Sequence, residues 1–351
     1  MDAAGGLLMH GRILATLISL AGVAGLAGLA AQTPAAPTAS ILGPKLQAVP
    51  SVVTEGIPGV IAPGTAVPLV KDGLPGADGI VGMPDGSAVF VEQNSPRITR
   101  INADDSLTTV LEAPGTRALG VDSRGRLIGL VLSTKTSQAD HLRVLTGADS
   151  GTVLATEVEG KRLFQGNDFV ISKKDELFMT DAGTLMKPAY EEPTHVYRIP
   201  LAPGAGAPRK AADPKARIIM PNGIALSPDD RVLYVNDSRG EALIAFDVKG
   251  DGSLANRREF AKYRITEESK KTFPYQADGL CVDVGGNVFV AMPLGVDVFS
   301  PKGALLGRIP LSKKMQNLAF AGADRKTLYM VSQGSIWKVR TLTGGPVGRA
   351  K

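Results

Sequence analysis

Short apolar segments alternate with turn signals along most of the chain. The clearest unit runs from Pro221 to Val248, where three apolar segments are separated by a Ser-Pro-Asp-Asp turn and a Ser-Arg-Gly turn. This alternation is typical of strands in an antiparallel meander. Related units occur both upstream and downstream of this one, so the pattern predicts a repeat architecture.

Six such units share one register. Each has a residue just before the first strand and an apolar residue eleven positions later in the second strand: Asp78 and Val89, Arg117 and Ile128, Asn167 and Phe178, Asn222 and Leu233, Asp278 and Phe289, Asn317 and Leu328. Successive units are 39, 50, 55, 56 and 39 residues apart. Periods of this size, built from strands and turns, indicate propeller blades.

We therefore predict an all-β fold, a six-bladed β-propeller of four-stranded antiparallel blades over residues 65–342. The last unit shows only three strands. We expect the upstream segment Thr65–Val70 to supply its outer strand, because that would close the ring and cover its edges. Residues 32–64, which begin with a stretch rich in Pro and Ala, are interpreted as a linker and residues 343–351 as a flexible tail.

The first 31 residues have the layout of a secretory signal peptide. Arg12 precedes nineteen uncharged residues, and small residues at Gly28 and Ala30 fit cleavage near Ala30. We therefore expect a secreted or periplasmic protein whose mature chain does not span a membrane. The alternative is an uncleaved anchor, because nineteen apolar residues can just cross a bilayer.

Composition narrows the classes of function. One cysteine, Cys281, excludes an internal disulfide framework and a cysteine-rich zinc site. The net charge is +5, but the basic residues are spread along the chain and form at most isolated pairs, so we expect no nucleic-acid partner. The remaining expectation is a monomer that acts on a small molecule.

The shared register places six side chains at one mouth of the central channel. They are Asp78, Arg117, Asn167, Asn222, Asp278 and Asn317. Carboxylate and amide oxygens are the ligands that a hard cation such as Ca²⁺ requires. The alternative explanation is turn chemistry, since Asn and Asp also favour turns. Arg117 is either a contact for an anion or carbonyl across the channel, or an ordinary surface residue.

Three segments resemble the gluconolactonase, senescence-marker-protein and luciferin-regenerating-enzyme family. They read PNGIALSPDDRVLYVNDS from Pro221, ADGLCVDVGGNVFVA from Ala277 and NLAFAGADRKTLYMVS from Asn317. The resemblance implies one divalent cation, most simply Ca²⁺, at the channel mouth. Carried over by motif, its ligands are Asp78, Asn167, Asn222 and Asp278.

The chain departs from the family pattern at three positions. Asp78 stands where Glu is usual, Gln165 replaces an Arg that is common in sugar lactonases, and Leu226 replaces an aromatic residue. These changes leave the expected metal ligands in place but weigh against a sugar lactone as the substrate. Gln165, Arg117 and Asn317 are our candidate substrate-binding residues.

Three hypotheses for function follow. The first is a metal-dependent hydrolase of a lactone or related ester, in which the cation polarises the carbonyl group. Asp278 would then act as general base or position the attacking water, and Asn167 would be a catalytic neutral ligand. The second is a non-catalytic propeller that binds a ligand or partner and keeps the cation for structure. The third, a phosphotriesterase-like or strictosidine-synthase-like propeller, fits the motifs less well.

Overall fold

Six four-stranded antiparallel sheets form a β-propeller, as the repeat spacing predicted. The computed structural model describes residues 52–133, 138–183, 194–202, 204–213, 216, 218–348 and 351. The predicted signal peptide lies outside these residues. Within the described part of the chain, no helix is both long enough and apolar enough to cross a membrane.

The first three blades follow one another along the chain, each from its innermost to its outermost strand. Blade 1 comprises Asp78–Gly82, Ala88–Val91, Arg97–Ile101 and Leu107–Glu112. Blade 2 comprises Thr116–Val121, Leu127–Val131, His141–Val144 and Val153–Ala155. Blade 3 comprises Gly166–Ile171, Glu176–Asp181, His195–Pro200 and Arg209–Lys210.

The remaining blades continue the ring and then close it. Blade 4 comprises Pro221–Leu226, Val232–Asp237, Ala242–Val248 and Leu254–Lys262. Blade 5 comprises Leu280–Val282, Val288–Met292, Gly295–Phe299 and Leu305–Pro310. Blade 6 comprises Met315–Ala321, Thr327–Ser332 and Ser335–Arg340, and its outermost strand is the upstream segment Leu69–Lys71.

The closing strand confirms the prediction, although its bounds differ from the expected Thr65–Val70. Leu69 pairs with Trp337 and Lys71 pairs with Ile336. The preceding residues Ala66–Val67 pair instead with Val52–Val53. Pro68 lies between the two short strands, and a proline has no backbone N–H to continue one ladder.

Besides the paired strands Val52–Val53 and Ala66–Val67, three short elements of the described chain lie outside the blades. A two-stranded hairpin joins Glu157–Val158 to Lys161–Arg162. The segment between blades 4 and 5 contains one helix, Glu267–Thr272. It begins with a capping box in which Thr266 and Ser269 bond each other's backbone N–H, which satisfies donors that a helix start leaves unpaired.

Apolar side chains fill each of the six interfaces between neighbouring blades. The largest cluster joins blades 5 and 6, where the Phe289 and Phe320 rings meet edge to face with their centroids 5.3 Å apart. Trp337 packs in the same cluster and is 1% exposed. Inner strands such as Pro221–Leu226 are buried along their whole length because each blade is covered on both faces.

Both segments flanking the predicted propeller contact it. Ile57, Val60 and Ile61, within the predicted linker, are buried in the cluster between blades 5 and 6. In the predicted flexible tail, the Thr343 hydroxyl donates to Asp283 and the Gly344 carbonyl accepts from the Val284 N–H. The described parts of both segments are therefore packed against the blades.

Candidate functional site

A β-bulge lies at the mouth end of the innermost strand in five of the six blades. The register shifts fall between Asp78 and Val81, Thr116 and Ala118, Gly166 and Phe169, Pro221 and Ile224, and Met315 and Asn317. A bulge bends its strand and re-aims a side chain. The eleven-residue register therefore found residues at or next to a repeated backbone irregularity at the channel mouth.

Glycines let neighbouring mouth segments approach closely. The residues after Asp78, Asn222 and Asp278 are all glycine. A Cβ on Gly79 would lie 2.6 Å from the Arg117 carbonyl oxygen, and one on Gly223 would overlap the Asp278 carbonyl oxygen. Because glycine has no Cβ, it permits this close approach, which explains why the sequence repeats a polar residue followed by glycine here.

Five of the six register residues line one cavity of about 110 Å³ at the channel mouth: Asp78, Arg117, Asn167, Asn222 and Asp278. The structure thus brings the four expected cation ligands together with Arg117. It does not place Asn317 or Gln165 in this lining. The Asn317 side-chain oxygen accepts the Leu318 N–H at 3.0 Å, and its Nδ2 donates to Asp78 Oδ1 at 3.4 Å, so this residue contacts a cavity carboxylate from outside the lining.

The two carboxylates of the cavity have different surroundings. Asp78 accepts hydrogen bonds from the Gly79 N–H at 2.8 Å and from Gln93 Nε2 at 2.7 Å. Burial, followed by the negative charge of Asp278, raises the pKa of Asp78 to about 6, and the Arg117 charge opposes this shift. Two buried carboxylates that repel each other are the environment that a bound cation relieves.

Asp278 is held by an ammonium group. Its Oδ2 accepts from Lys314 Nζ at 2.8 Å, and the Lys314 side chain is only 6% exposed. Its backbone carbonyl accepts from Asn236 Nδ2 at 2.6 Å and from the Gly223 N–H at 3.2 Å. Blades 4 and 6 therefore both fix the position of this residue.

The cavity also contains side-chain oxygens that have no hydrogen-bond partner among the described residues and are available as metal ligands. Among the described residues, none forms a hydrogen bond with the side-chain amides of Asn167 and Asn222. The Gln316 side-chain oxygen is buried in the same lining and likewise lacks a partner among the described residues. No cluster of three His, Cys, Asp or Glu suited to a metal occurs in the described ranges. Two carboxylates with free amide oxygens fit a hard cation rather than zinc.

A second carboxylate–ammonium pair lies next to the cavity. Asp168 follows Asn167, and its Oδ1 accepts from the Phe169 N–H and from Lys351 Nζ. The side chains of Asp168 and Lys351 are 3% and 2% exposed. The negative charge of Asp168 also acts on Asp78. Lys351 therefore offsets a charge that would otherwise add to the repulsion at the mouth.

The cavity is also lined by five residues that the sequence analysis did not single out: Gln93, Met220, Tyr275, Lys314 and Gln316. Four of them precede a register residue by one to three positions. This offset from the register residues could have identified them, but it is not constant because the loops before the inner strands vary in length. Gln93 lies beyond the end of the second strand of blade 1, which no register count covers.

A larger groove lies elsewhere. It has a volume of about 740 Å³ and is lined by residues of blades 1 and 6 together with Thr65, Ala66 and Pro68. Its charged groups are mostly satisfied locally, as in the pair of Arg100 with Asp85 at 2.6 Å. The side-chain oxygens available as metal ligands therefore lie at the channel mouth rather than in this groove.

Known proteins with similar sequences include lactonases. A gluconolactonase from Zymomonas mobilis is 27% identical over 202 residues, an alignment that covers 55% of each chain. A 6-deoxy-6-sulfogluconolactonase from Pseudomonas putida is 27% identical over 154 residues, which are 43% of this chain and 49% of the relative. This chain thus spans about half the length of either relative.

A solved structure and a family model extend the similarity to most of the chain. A gluconolactonase from Xanthomonas campestris superposes with a TM-score of 0.67 at 26% identity, covering 86% of this chain and 98% of its own. The family model described as SMP-30/Gluconolactonase/LRE-like region matches residues 77–334, which contain blades 1 to 5 and the first two strands of blade 6. The chain belongs to the SMP-30, gluconolactonase and LRE-like family.

Proposed function

We propose that the protein is a divalent-cation-dependent hydrolase of lactones. The observation that carries this proposal is the mouth cavity, where two carboxylates and two unpartnered amides converge beside Arg117. Asp78, Asn167, Asn222 and Asp278 would hold the cation, and the oxygen-only ligand set favours Ca²⁺. A cation bound there supplies polarisation of the lactone carbonyl and stabilises the developing oxyanion.

The chain's own residues have distinct tasks in this reaction. Asp278 keeps one carboxylate oxygen bound to Lys314, so its other oxygen can orient the attacking water and accept its proton. Asn236 fixes the Asp278 backbone from blade 4. Arg117 lines the same cavity and can contact the substrate. The relatives are named for a neutral and for a sulfonated sugar lactone, so both remain candidates.

The test compares wild type with Asp278→Asn, which keeps the shape of the side chain and removes its charge. We expect calcium affinity, measured by calorimetric titration, to fall by at least about tenfold, because charged ligands set the affinity of such sites. Lactone hydrolysis, followed by acid release in a pH-stat, should be lost. Asp85→Asn, an exposed change of the same kind, should alter neither quantity.

Asn317→Ala gives a second comparison, because Asn317 shares the ring register but does not line the cavity. Its effect on calcium affinity should be much smaller than that of Asp278→Asn. Equal calcium affinity in wild type and Asp278→Asn would show that the ligands are misassigned. Calcium binding without turnover of any lactone would favour the non-catalytic binding propeller instead.

We also propose that the protein is exported after cleavage near Ala30. The support is the apolar segment of residues 13–31 with its basic start. N-terminal sequencing of the protein recovered outside the cytoplasm should begin near Ala31. Recovery of the intact Met1 end in a membrane fraction would support the anchor instead.

A further inference from the structure

The charges that face the mouth cavity are balanced before a cation binds. Asp78 and Asp278 are formally negative, and Arg117 and Lys314 are formally positive. The nearby Asp168 is offset by Lys351. A divalent cation held by the two carboxylates, as the proposed function requires, therefore leaves the described lining with a net charge of about +2.

Lys314 is the more constrained of the two cationic residues. Its ammonium is buried and its hydrogen-bond partner among the described residues is Asp278. An Asp278 carboxylate that ligates a cation has less negative charge to offer Lys314. A buried ammonium without an adequate partner is costly, so the loaded cavity favours a second anion near Lys314.

Arg117 is the second cationic residue of the cavity lining. Its side chain is half-buried, it lines the cavity, and it forms no hydrogen bond within the described ranges. The exposed Arg239 does not line the cavity, but its guanidinium carbon lies 5.2 Å from the ring centroid of Tyr275, which does. A guanidinium presents the donor fork that suits a carboxylate or sulfonate.

We propose that this enzyme selects lactones that carry an anionic substituent, and that Lys314 and Arg117 bind that substituent. The inference rests on the proposed function for the cation and the lactone ring, but the selectivity is carried by these two side chains. A neutral sugar lactone would leave both cations uncompensated in the loaded cavity. An anionic group on the substrate restores the balance and also steers the substrate toward the mouth.

The test uses two lactones that share one ring, the γ-lactones of gluconic acid and glucaric acid. They differ at the far end, where the first has a hydroxymethyl group and the second a carboxylate. With calcium bound, we expect kcat/KM for the glucaric lactone to exceed that for the gluconic lactone by about tenfold or more. The advantage should shrink in about 1 M sodium chloride, where the Debye length is only about 3 Å.

Two variants assign the selectivity to residues. Lys314→Met and Arg117→Met should each lower the ratio of kcat/KM between the two lactones by about tenfold or more, because each removes a charge-assisted contact. Lys313→Met is the matched control. Lys313 is adjacent in sequence, but its ammonium binds Asp72 at 2.9 Å and contacts Ser335, and it does not line the cavity. The ratio in this variant should equal that of wild type.

Calorimetric binding of the same lactones provides a readout that needs no turnover. Adding calcium to the metal-free protein should strengthen binding of the glucaric lactone more than that of the gluconic lactone. Equal kcat/KM for both lactones, or a ratio unchanged in both variants, would overturn the proposal. If neither lactone is hydrolysed, the hydrolase assignment fails separately. Calorimetry then tests the selectivity. Tighter binding of the glucaric lactone that is lost in the two variants supports the proposal, and equal binding of both lactones refutes it.

Discussion

Replacing Asn236 with Ala should destabilise the protein and loosen the candidate cation site together. Asn236 is fully buried, and its Nδ2 donates to the Asp278 carbonyl at 2.6 Å and lies 3.3 Å from the Gly279 carbonyl. Its Oδ1 accepts from the Tyr263 hydroxyl at 2.9 Å. Burial raises the pKa of Tyr263 further above its ordinary value, so its hydroxyl stays a neutral donor.

The magnitude follows from the groups left unpaired. Asn236→Ala removes the acceptor of a buried hydroxyl and the short donor to a buried carbonyl. Each unsatisfied group costs about 1–3 kcal/mol, so the free energy of unfolding should fall by about 2–6 kcal/mol. The Asp278 carbonyl keeps only the longer bond from the Gly223 N–H at 3.2 Å, so calcium affinity should fall too.

Urea denaturation measures the first effect and calorimetric calcium titration the second. Asn102→Ala is the control, since its half-buried amide bonds only the Ser106 and Thr108 hydroxyls, and it should cost less than about 1 kcal/mol. The double variant Asn236→Ala/Tyr263→Phe should cost less than the sum of the single changes, because no hydroxyl is then left unpaired. A loss below about 1 kcal/mol with unchanged calcium binding would refute the reasoning.

Three further changes test other parts of the fold. Burial and then the Lys210 charge lower the pKa of His195 from 6.5 to about 4, so the unfolded chain binds a proton more readily and up to about 3 kcal/mol of stability should be lost as the pH falls across that interval. The urea midpoint of wild type should therefore fall relative to that of His195→Gln between these pH values, and parallel midpoint curves would contradict this. Gly223→Ala forces a Cβ into the Asp278 backbone and should lower the free energy of unfolding, measured with urea, by about 1–3 kcal/mol. Gly250→Ala has open space around its Cβ and should lower it less, and equal losses would show that close approach is unimportant. Lys351→Met leaves the Asp168 carboxylate buried and unpaired, so the urea midpoint should correspond to a loss of about 3–5 kcal/mol, and an unchanged midpoint would show that the pair contributes nothing.

The ring of polar residues was predictable because it depends on backbone geometry that repeats. The eleven-residue spacing reflects an inner strand, a tight turn and a second strand, and it stays constant although the inner strands vary from three to seven residues. Asp78, Asn222 and Asp278 were also marked by the glycine that follows each of them. The fold and most of the register residues that line the mouth cavity could therefore be predicted from the same local pattern.

The rest of the cavity could not be predicted because it comes from segments of unequal length. Lys314 and Tyr275 lie in the connections that lead into blades 6 and 5, and no period relates such connections. Asn317 occupies the equivalent register position but does not line the cavity. Its side-chain oxygen accepts the Leu318 N–H, and its Nδ2 donates to Asp78 at 3.4 Å. A register count locates a residue and does not say which partner its side chain takes.

Closure of blade 6 by Leu69–Lys71 has a consequence for how the protein is made. Lys71 pairs with Ile336, which is 265 residues further along the chain. At about 5–20 residues per second, the ribosome needs roughly 13–53 s to produce that partner after Lys71 has been synthesised. During this interval blades 1 to 5 can form one by one, but the closing strand has no sheet to join. The nascent chain therefore exposes an unpaired strand and an open blade edge until the strand Ser335–Arg340 has been synthesised, and this exposure favours aggregation.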